Sequence, residues 1–216
     1  MDISYFGHSS FKIKGKSGSV VTDPFNPHEV GFKFSGISAD LVTISHDHGD
    51  HNRAELVLDS PFVINGPGEY EVADISVIGY QTFHDDKNGS ERGNNTIYVY
   101  EVDDFRLAHL GDLGHKLSDK LVEDLGDIDV LFVPVGGYFT IDAQTAVTVV
   151  QSIEPTLIIP MHYKYKGINE EAFGKLTEVD VFVKAMGLPS ENLPKLSIKK
   201  SELAEDQKIV ILEIRS

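Results

Sequence analysis

The chain has 216 residues, with 34 Asp and Glu against 19 Lys and Arg, so the formal net charge is −15 with the nine His neutral. That length can bury a substantial core, and 41% hydrophobic with 25% charged residues is a globular composition. The charge opposes binding to a phosphate backbone, no apolar run reaches the roughly 18 residues of a membrane helix, and the lack of cysteine excludes disulfides, thiolate metal sites and a Cys nucleophile.

The opening Met1–His8 has no basic segment followed by an apolar run, so no secretory signal is read and the cytoplasm is expected. Short β-rich runs then dominate. Ile3–Phe6 and Phe11–Ile13 flank a Gly-His-Ser-Ser turn, and Ser19–Thr22 runs into Asp23-Pro24, which should end that strand. Leu41–Ser45, Phe62–Ile64, Ile75–Tyr80, Thr96–Val102 and Phe105–Leu110 are further strands, the last two joined at Asp103-Asp104. The polar segment Asp85–Asn95, with Gly89, Gly93 and three Asn, reads as a long, mobile loop.

The second half alternates. A helix is expected over Ser118–Leu125 with Ser118 as N-cap, then a strand Val130–Val133 ending at Pro134. Asp142–Ile153 reads as a helix, Thr156–Ile159 as a strand ending at Pro160, Asn169–Thr177 as a helix and Ile209–Ile214 as a strand. Pro189–Pro194 is linker-like but too short to divide domains. Strands first and βα alternation later suggest two sheets covered by helices.

The chemistry sits in His46-Asp47-His48-Gly49-Asp50-His51, directly after the strand Leu41–Ser45. On an extended backbone His46 and His48 point to one side and can hold one metal. Gly49 lets the chain turn, which frees Asp50 and His51 for a second cation. An H-x-H-x-D-H pattern arises by chance on the order of 10⁻³ times in such a chain.

This run resembles the signature of the metallo-β-lactamase fold hydrolases, and His84, Asp112 and His162 follow in the order that family expects. The resemblance implies an α/β fold, a four-layer αββα sandwich, in one domain spanning residues 1–216. It implies two divalent metal ions: His46, His48 and His84 on the first, Asp50, His51 and His162 on the second, and Asp112 bridging. Zinc is the first expectation, with manganese or iron (Zn2+, Mn2+ or Fe2+) as alternatives. Tyr5–Phe11, Thr22–Pro24, His109–Asp112 and Pro134–Thr140 further resemble the ascorbate-6-phosphate lactonase-like branch. In those segments His8, Asp23 and His109 are candidates either to orient ligands or simply to make turn hydrogen bonds. His28 and His115 match nothing and read as surface residues. His48 stands where the oxygen-reducing di-iron branch has Glu, and 216 residues leave no room for the inserted domain of the nuclease branch.

The expected function is a metal-dependent hydrolase in which a hydroxide bridging two metal ions attacks a small ester, lactone or phosphodiester. The alternative is a non-catalytic metal-binding protein of the same fold. Asp50 is the catalytic candidate, orienting the hydroxide and helping the leaving group take a proton. The Gly136-Gly137 turn and Tyr138 are candidate donors to a developing oxyanion. Lys87, Arg92, Lys164 and Lys166 lie within eight residues of His84 or His162. They read either as recruiting an anionic small-molecule substrate or as solvated charges balancing Asp85, Asp86 and Glu91. Nucleic-acid and membrane partners are not expected, and a homo-oligomer is compatible with the sequence.

Overall fold

The protein is described over residues 1–215 by a computed structural model. In chain order its strands and helices are β1 (Asp2–Gly7), β2 (Ser10–Lys14), β3 (Ser19–Thr22), α1 (Pro27–Val30), β4 (Leu41–Thr43), β5 (Phe62–Ile64), β6 (Gly68–Val72) and β7 (Ile75–Phe83). There follow β8 (Asn94–Val102), β9 (Phe105–His109), α2 (Asp119–Leu125), β10 (Val130–Pro134), α3 (Ala143–Ile153), β11 (Leu157–Met161), α4 (Glu170–Phe173) and α5 (Val179–Met186). The chain ends in β12 (Ser190–Leu193), β13 (Leu196–Ser197) and β14 (Lys208–Leu212).

These strands form two sheets, ordered β13-β1-β2-β3-β4-β5 and β12-β14-β11-β10-β9-β8-β7-β6. Ile3, Tyr5, Phe11, Val20 and Leu41 of the first sheet meet Val77, Tyr98, Leu107, Phe132 and Ile159 of the second in one buried cluster. Two tyrosines reach across this interface and keep their polar ends satisfied, as burial requires. Tyr98 donates its hydroxyl to Ile44 O at 2.9 Å, and the Tyr100 hydroxyl lies 2.7 Å from Thr43 Oγ1. On the outer face of the second sheet, Ala146, Val147, Val150 and Ile153 of α3 and Phe182 of α5 cover Leu131, Val133 and Ile158. On the outer face of the first, Val30 of α1 and Phe173 of α4 join Val21, Val42 and Phe25. The result is the four-layer αββα sandwich.

Local chemistry accounts for several element ends. Ser118 and Asp142 accept N–H bonds from Leu121 and Thr145 and so cap α2 and α3. Asp103 and Asp104 both take the left-handed conformation that a two-residue hairpin needs. Other ends differ from expectation. Strand β11 runs through Pro160 to Met161, because β14 pairs only with Leu157 and Ile158 and no ladder bond is asked of the proline. The expected helix Asn169–Thr177 closes at Gly174 after one turn, and a separate α5 follows. Pro189–Pro194 is no linker: Ser190–Leu193 pairs in parallel with β14. Strand β6 and the one-turn α1 carried no sequence signal strong enough to read.

Candidate metal centre

Topology brings the chemistry to one edge. Strands β3 and β4 are parallel, as are β9, β10 and β11. Strand β1 is antiparallel to β2, which is antiparallel to β3; β7 is antiparallel to β8, which is antiparallel to β9. The segments after β1, β3, β4, β7, β9 and β11 therefore leave the sandwich at the same end. They carry His8, Asp23, His46 to His51, His84, Asp112 and His162. Among them His8, Asp23 and His162 have φ of 57°, 38° and 52°. Such left-handed backbone in non-glycine residues is concentrated at functional sites.

All seven residues picked from the sequence converge there, and His8 joins them. One ligand atom each from His46, His48 and His84 lie within 4.8 Å of one another, and the same holds for His8, Asp50, His51 and His162 and for His46, His51 and Asp112. Asp112 Oδ2 lies 3.4, 3.3 and 3.1 Å from the Nε2 atoms of His51, His84 and His162. The turn that frees Asp50 and His51 is closed by the His51 N–H donating to His48 O at 2.9 Å. Gly49 is not among the positive-φ residues that glycine alone makes easy.

A buried hydrogen-bond chain sets the ring orientations. His51 donates its Nδ1–H to Asp23 Oδ2 at 2.9 Å, leaving Nε2 free to face Asp112. Ser45 donates its hydroxyl to the same oxygen at 2.6 Å, so its own oxygen can accept the Nδ1–H of His46 at 2.9 Å. His8 donates its Nε2–H to Asp50 Oδ2 at 2.9 Å. The backbone of His8 also accepts from the His162 N–H at 2.8 Å. His109 stands apart from the cluster. Its Nε2–H donates to Ser9 O at 2.8 Å and ties β9 to the β1–β2 turn.

Two glycines set the close approaches. A side chain at Gly114 would place Cβ 2.2 Å from the backbone nitrogen of Asp85, next to His84. One at Gly136 would place it 2.1 Å from the carbonyl oxygen of His162.

The electrostatics follow. Burial pushes His46 well below the ordinary imidazole value, and nearby His51 adds to the effect. Burial lowers His8 to about 4, with His162 contributing. For His51 burial acts the same way, but Asp112, Asp50 and Asp23 outweigh it and hold the ring well above its usual value. Burial would raise Asp112, yet His162 and His51 keep it well below the carboxylate range. Three carboxylates thus focus negative charge on one imidazole.

After this bonding, buried His46 Nε2, His51 Nε2, Asp112 Oδ1 and both nitrogens of His162 have no hydrogen-bond partner. Each such atom costs about 1–3 kcal/mol if left unmet. Imidazoles and carboxylates aimed inward at these separations fit divalent cations, and nitrogen with oxygen donors suits zinc, manganese or iron.

Two cavities flank the cluster. One of about 420 Å³ is lined by Glu29, His48, Asp50, His84, Asp112, Phe139 and Phe173 among others. The other, of about 450 Å³, is lined by Ser45, His46, His48, Asn65, Asn94 and Thr96 among others. Glu29 and Phe173 were not singled out from the sequence, where isolated residues carry no pattern, and Phe139 entered only as part of the segment Pro134–Thr140. The Gly136-Gly137 turn does not line either cavity. Gly136 packs on His162, and the hydroxyl of the half-exposed Tyr138 accepts from Lys175 Nζ at 2.8 Å. His115 is half-buried rather than a free surface residue: it accepts the Phe83 N–H at 3.2 Å and donates to Lys116 O at 2.8 Å. His28 is exposed, as expected.

Comparison with known proteins agrees with this geometry. The model of the beta-lactamase superfamily domain matches residues 2–162. A UPF0173 metal-dependent hydrolase of Thermococcus onnurineus is 30% identical over 189 residues, covering 74% of this chain and 84% of its own. The crystal structure of a candidate Zn-dependent hydrolase of the metallo-beta-lactamase superfamily from Thermotoga maritima has a TM-score of 0.83 at 36% identity, covering 99% of both chains. Igni18, a metallo hydrolase from Ignicoccus hospitalis, shares the fold at 18% identity, with a TM-score of 0.69 over 100% of this chain and 96% of its own. The chain belongs to the metallo-β-lactamase superfamily and, within it, to the UPF0173 family of metal-dependent hydrolases. Among the described residues no helix is long and apolar enough to cross a membrane.

Proposed function

We propose that the chain hydrolyses a small ester, lactone or phosphodiester with two divalent cations. His46, His48 and His84 hold one, Asp50, His51 and His162 hold the other, and Asp112 lies between. The observation that carries this reading is Asp112: one carboxylate oxygen faces three imidazoles at 3.1–3.4 Å while the other has no protein partner. Bound cations supply Lewis acidity and a water acidic enough to act as nucleophile near neutral pH. Zinc is the first candidate; manganese and iron suit the same donors.

The chain's own residues position and exclude. Asp23 fixes the ring of His51 directly and that of His46 through Ser45. His8 holds Asp50, which would orient the attacking water, take the proton that water loses and pass it to the leaving group. Phe139 and Phe173 line the cavity over these groups and limit solvent on that side. A cavity of about 420 Å³ matches a small molecule, and the −15 charge argues against nucleic acid. The narrower lactone reading rests on the sequence resemblance to ascorbate-6-phosphate lactonase-like proteins alone. The cytoplasm is the setting we assign.

Elemental analysis of protein purified without chelator should approach two zinc, manganese or iron ions per chain. Fewer than one after reconstitution would overturn the two-cation reading. Reconstituted protein should turn over a 4-nitrophenyl ester, a simple lactone or bis(4-nitrophenyl) phosphate, and chelated protein none of them.

A further inference from the structure

We infer that Arg92 sets the substrate class of this centre by holding a carboxylate or phosphate group of the substrate between the two cavities. The inference rests on the hydrolase reading above. Its first support is position. Arg92 lines both cavities, as do Asp47 and the proposed metal ligand His48, so it borders both spaces beside the centre.

The second support is that this cation has no carboxylate of its own. Among the described residues no Asp or Glu lies within ion-pair distance of Arg92, whereas Lys87 and Lys164, two of the other cations near the centre in sequence, are each paired. Two of the acids nearest in sequence, Glu91 and Asp85, are engaged elsewhere, as is Asp47, which lines both cavities. Glu91 pairs with Lys87. Both oxygens of Asp85 take backbone N–H groups. Asp47 accepts from Asn52 at 2.6 Å. The guanidinium of Arg92 makes one long bond, Nη2 to Tyr138 O at 3.4 Å, and lies 5.2 Å over the Phe139 ring. This contact holds the guanidinium beside the ring and leaves most of its five donors unspent.

The third support is that the side chain is carried by an ordered loop. Asp85 accepts from the N–H groups of Lys87, Gly89, Glu91 and Arg92 at 2.8–3.0 Å. The loop is closed by His84 N–H to Gly93 O and Gly93 N–H to Gly89 O, both at 3.0 Å. A guanidinium fixed in this way needs little ordering when it binds, and its planar fork matches a carboxylate or phosphate. Of the four cations near the centre in sequence, Lys87 and Lys164 are neutralised by Glu91 and Glu170, and exposed Lys166 lines neither cavity. Neutral Asn65, Asn94 and Thr96 line the larger cavity and add hydrogen-bonding groups for substrate oxygens.

The test compares a matched pair of esters on metal-loaded full-length protein: mono-4-nitrophenyl succinate, which carries a carboxylate, and neutral 4-nitrophenyl butyrate. Arg92→Gln should lower kcat/KM for the succinate ester by about 10- to 100-fold, through KM, and change the butyrate ester less than 2-fold. Arg92→Lys should restore only part of the loss. Metal content is measured in each variant, and it should stay at the wild-type value. Calorimetric titration with succinate and with inorganic phosphate reads the same contact without turnover: Arg92→Gln should weaken binding at least 10-fold, and the tighter of the two ligands identifies the anion. Equal effects on both esters, or unchanged affinity for both anions, would overturn the inference. If neither ester, nor the lactone and phosphodiester probes named above, is turned over while the anions still bind through Arg92, the hydrolase reading fails and the anion site stands.

Discussion

Asp23 Oδ2 accepts the Nδ1–H of His51 at 2.9 Å, and both groups are buried. The pair fixes which imidazole nitrogen faces Asp112, and the same oxygen anchors His46 through Ser45. Asp23→Ala should therefore disturb both proposed cation positions, and zinc affinity should fall by roughly 10- to 100-fold. Chelator competition measures it. Unchanged affinity would reduce Asp23 to a structural turn residue.

Removing the metals should destabilise the fold. Ligands that bind only the native state contribute about 2.7 kcal/mol per site at 100 Kd. For a chain of this size one such site corresponds to roughly 5–11 °C in Tm. Scanning calorimetry with and without chelator checks this, and coincident transitions would contradict a folded-state metal site.

The sequence made the proposed ligands legible because their signal is local. His46 to His51 form one short run; the expected strand Leu41–Ser45 stops at Thr43 and the chain bends over Ser45–Asp47, so the run converges through its bend and turn and not along an extended strand. β3 and β5 appear within the bounds their β-branched residues suggest. What stayed hidden is set by distant partners. The β-branched run in Val179–Met186 is helical because it packs on α3. The two-residue β13 exists only as a partner of β1. The segment after His84 reads as a mobile loop until the Asp85 carboxylate is seen to organise it, and β8 already begins at Asn94. Phe139 reaches the cavity from the turn between β10 and α3 and Phe173 from α4, which no spacing rule reports.

Gly114→Ala should cost stability, because its Cβ would meet the backbone at His84 and Asp85 at 2.2–2.4 Å, and backbone cannot swing aside as a side chain does. Overpacking of this kind costs about 1–3 kcal/mol. Urea unfolding reads that loss. The accompanying shift of His84 should appear as weaker occupancy of the first cation position in elemental analysis.

Asp85→Asn should loosen the loop that carries Arg92. Burial would raise this carboxyl, but the N–H groups of Arg92, Lys87, Glu91 and Gly89 bring it down to about 2 from an ordinary 3.8. A depressed carboxylate stabilises the fold fully above its unfolded value. Its contribution is lost as pH falls from 3.8 through about 2. Amide exchange over residues 86–93 should therefore be faster in the variant at pH 7, and the difference should fade toward pH 2. Equal exchange at pH 7 would mean the loop is ordered by other contacts.

Asp50 and His115 separate chemistry from structure. If Asp50 orients the attacking water, Asp50→Asn should lower kcat by at least 10²-fold with little change in KM, since the lost interaction belongs to the transition state. Metal content must be matched, because the same carboxylate is a proposed ligand. His115 is in none of the clustered ligand groups, and its Nε2 accepts the N–H of Phe83 at 3.2 Å. His115→Ala leaves that donor without its protein partner and should cost about 1–2 kcal/mol in urea unfolding, while kcat at full metal occupancy stays within 2-fold. Opposite results, an active Asp50→Asn and an inactive but stable His115→Ala, would move the catalytic role from Asp50 to the strand end that presents His84.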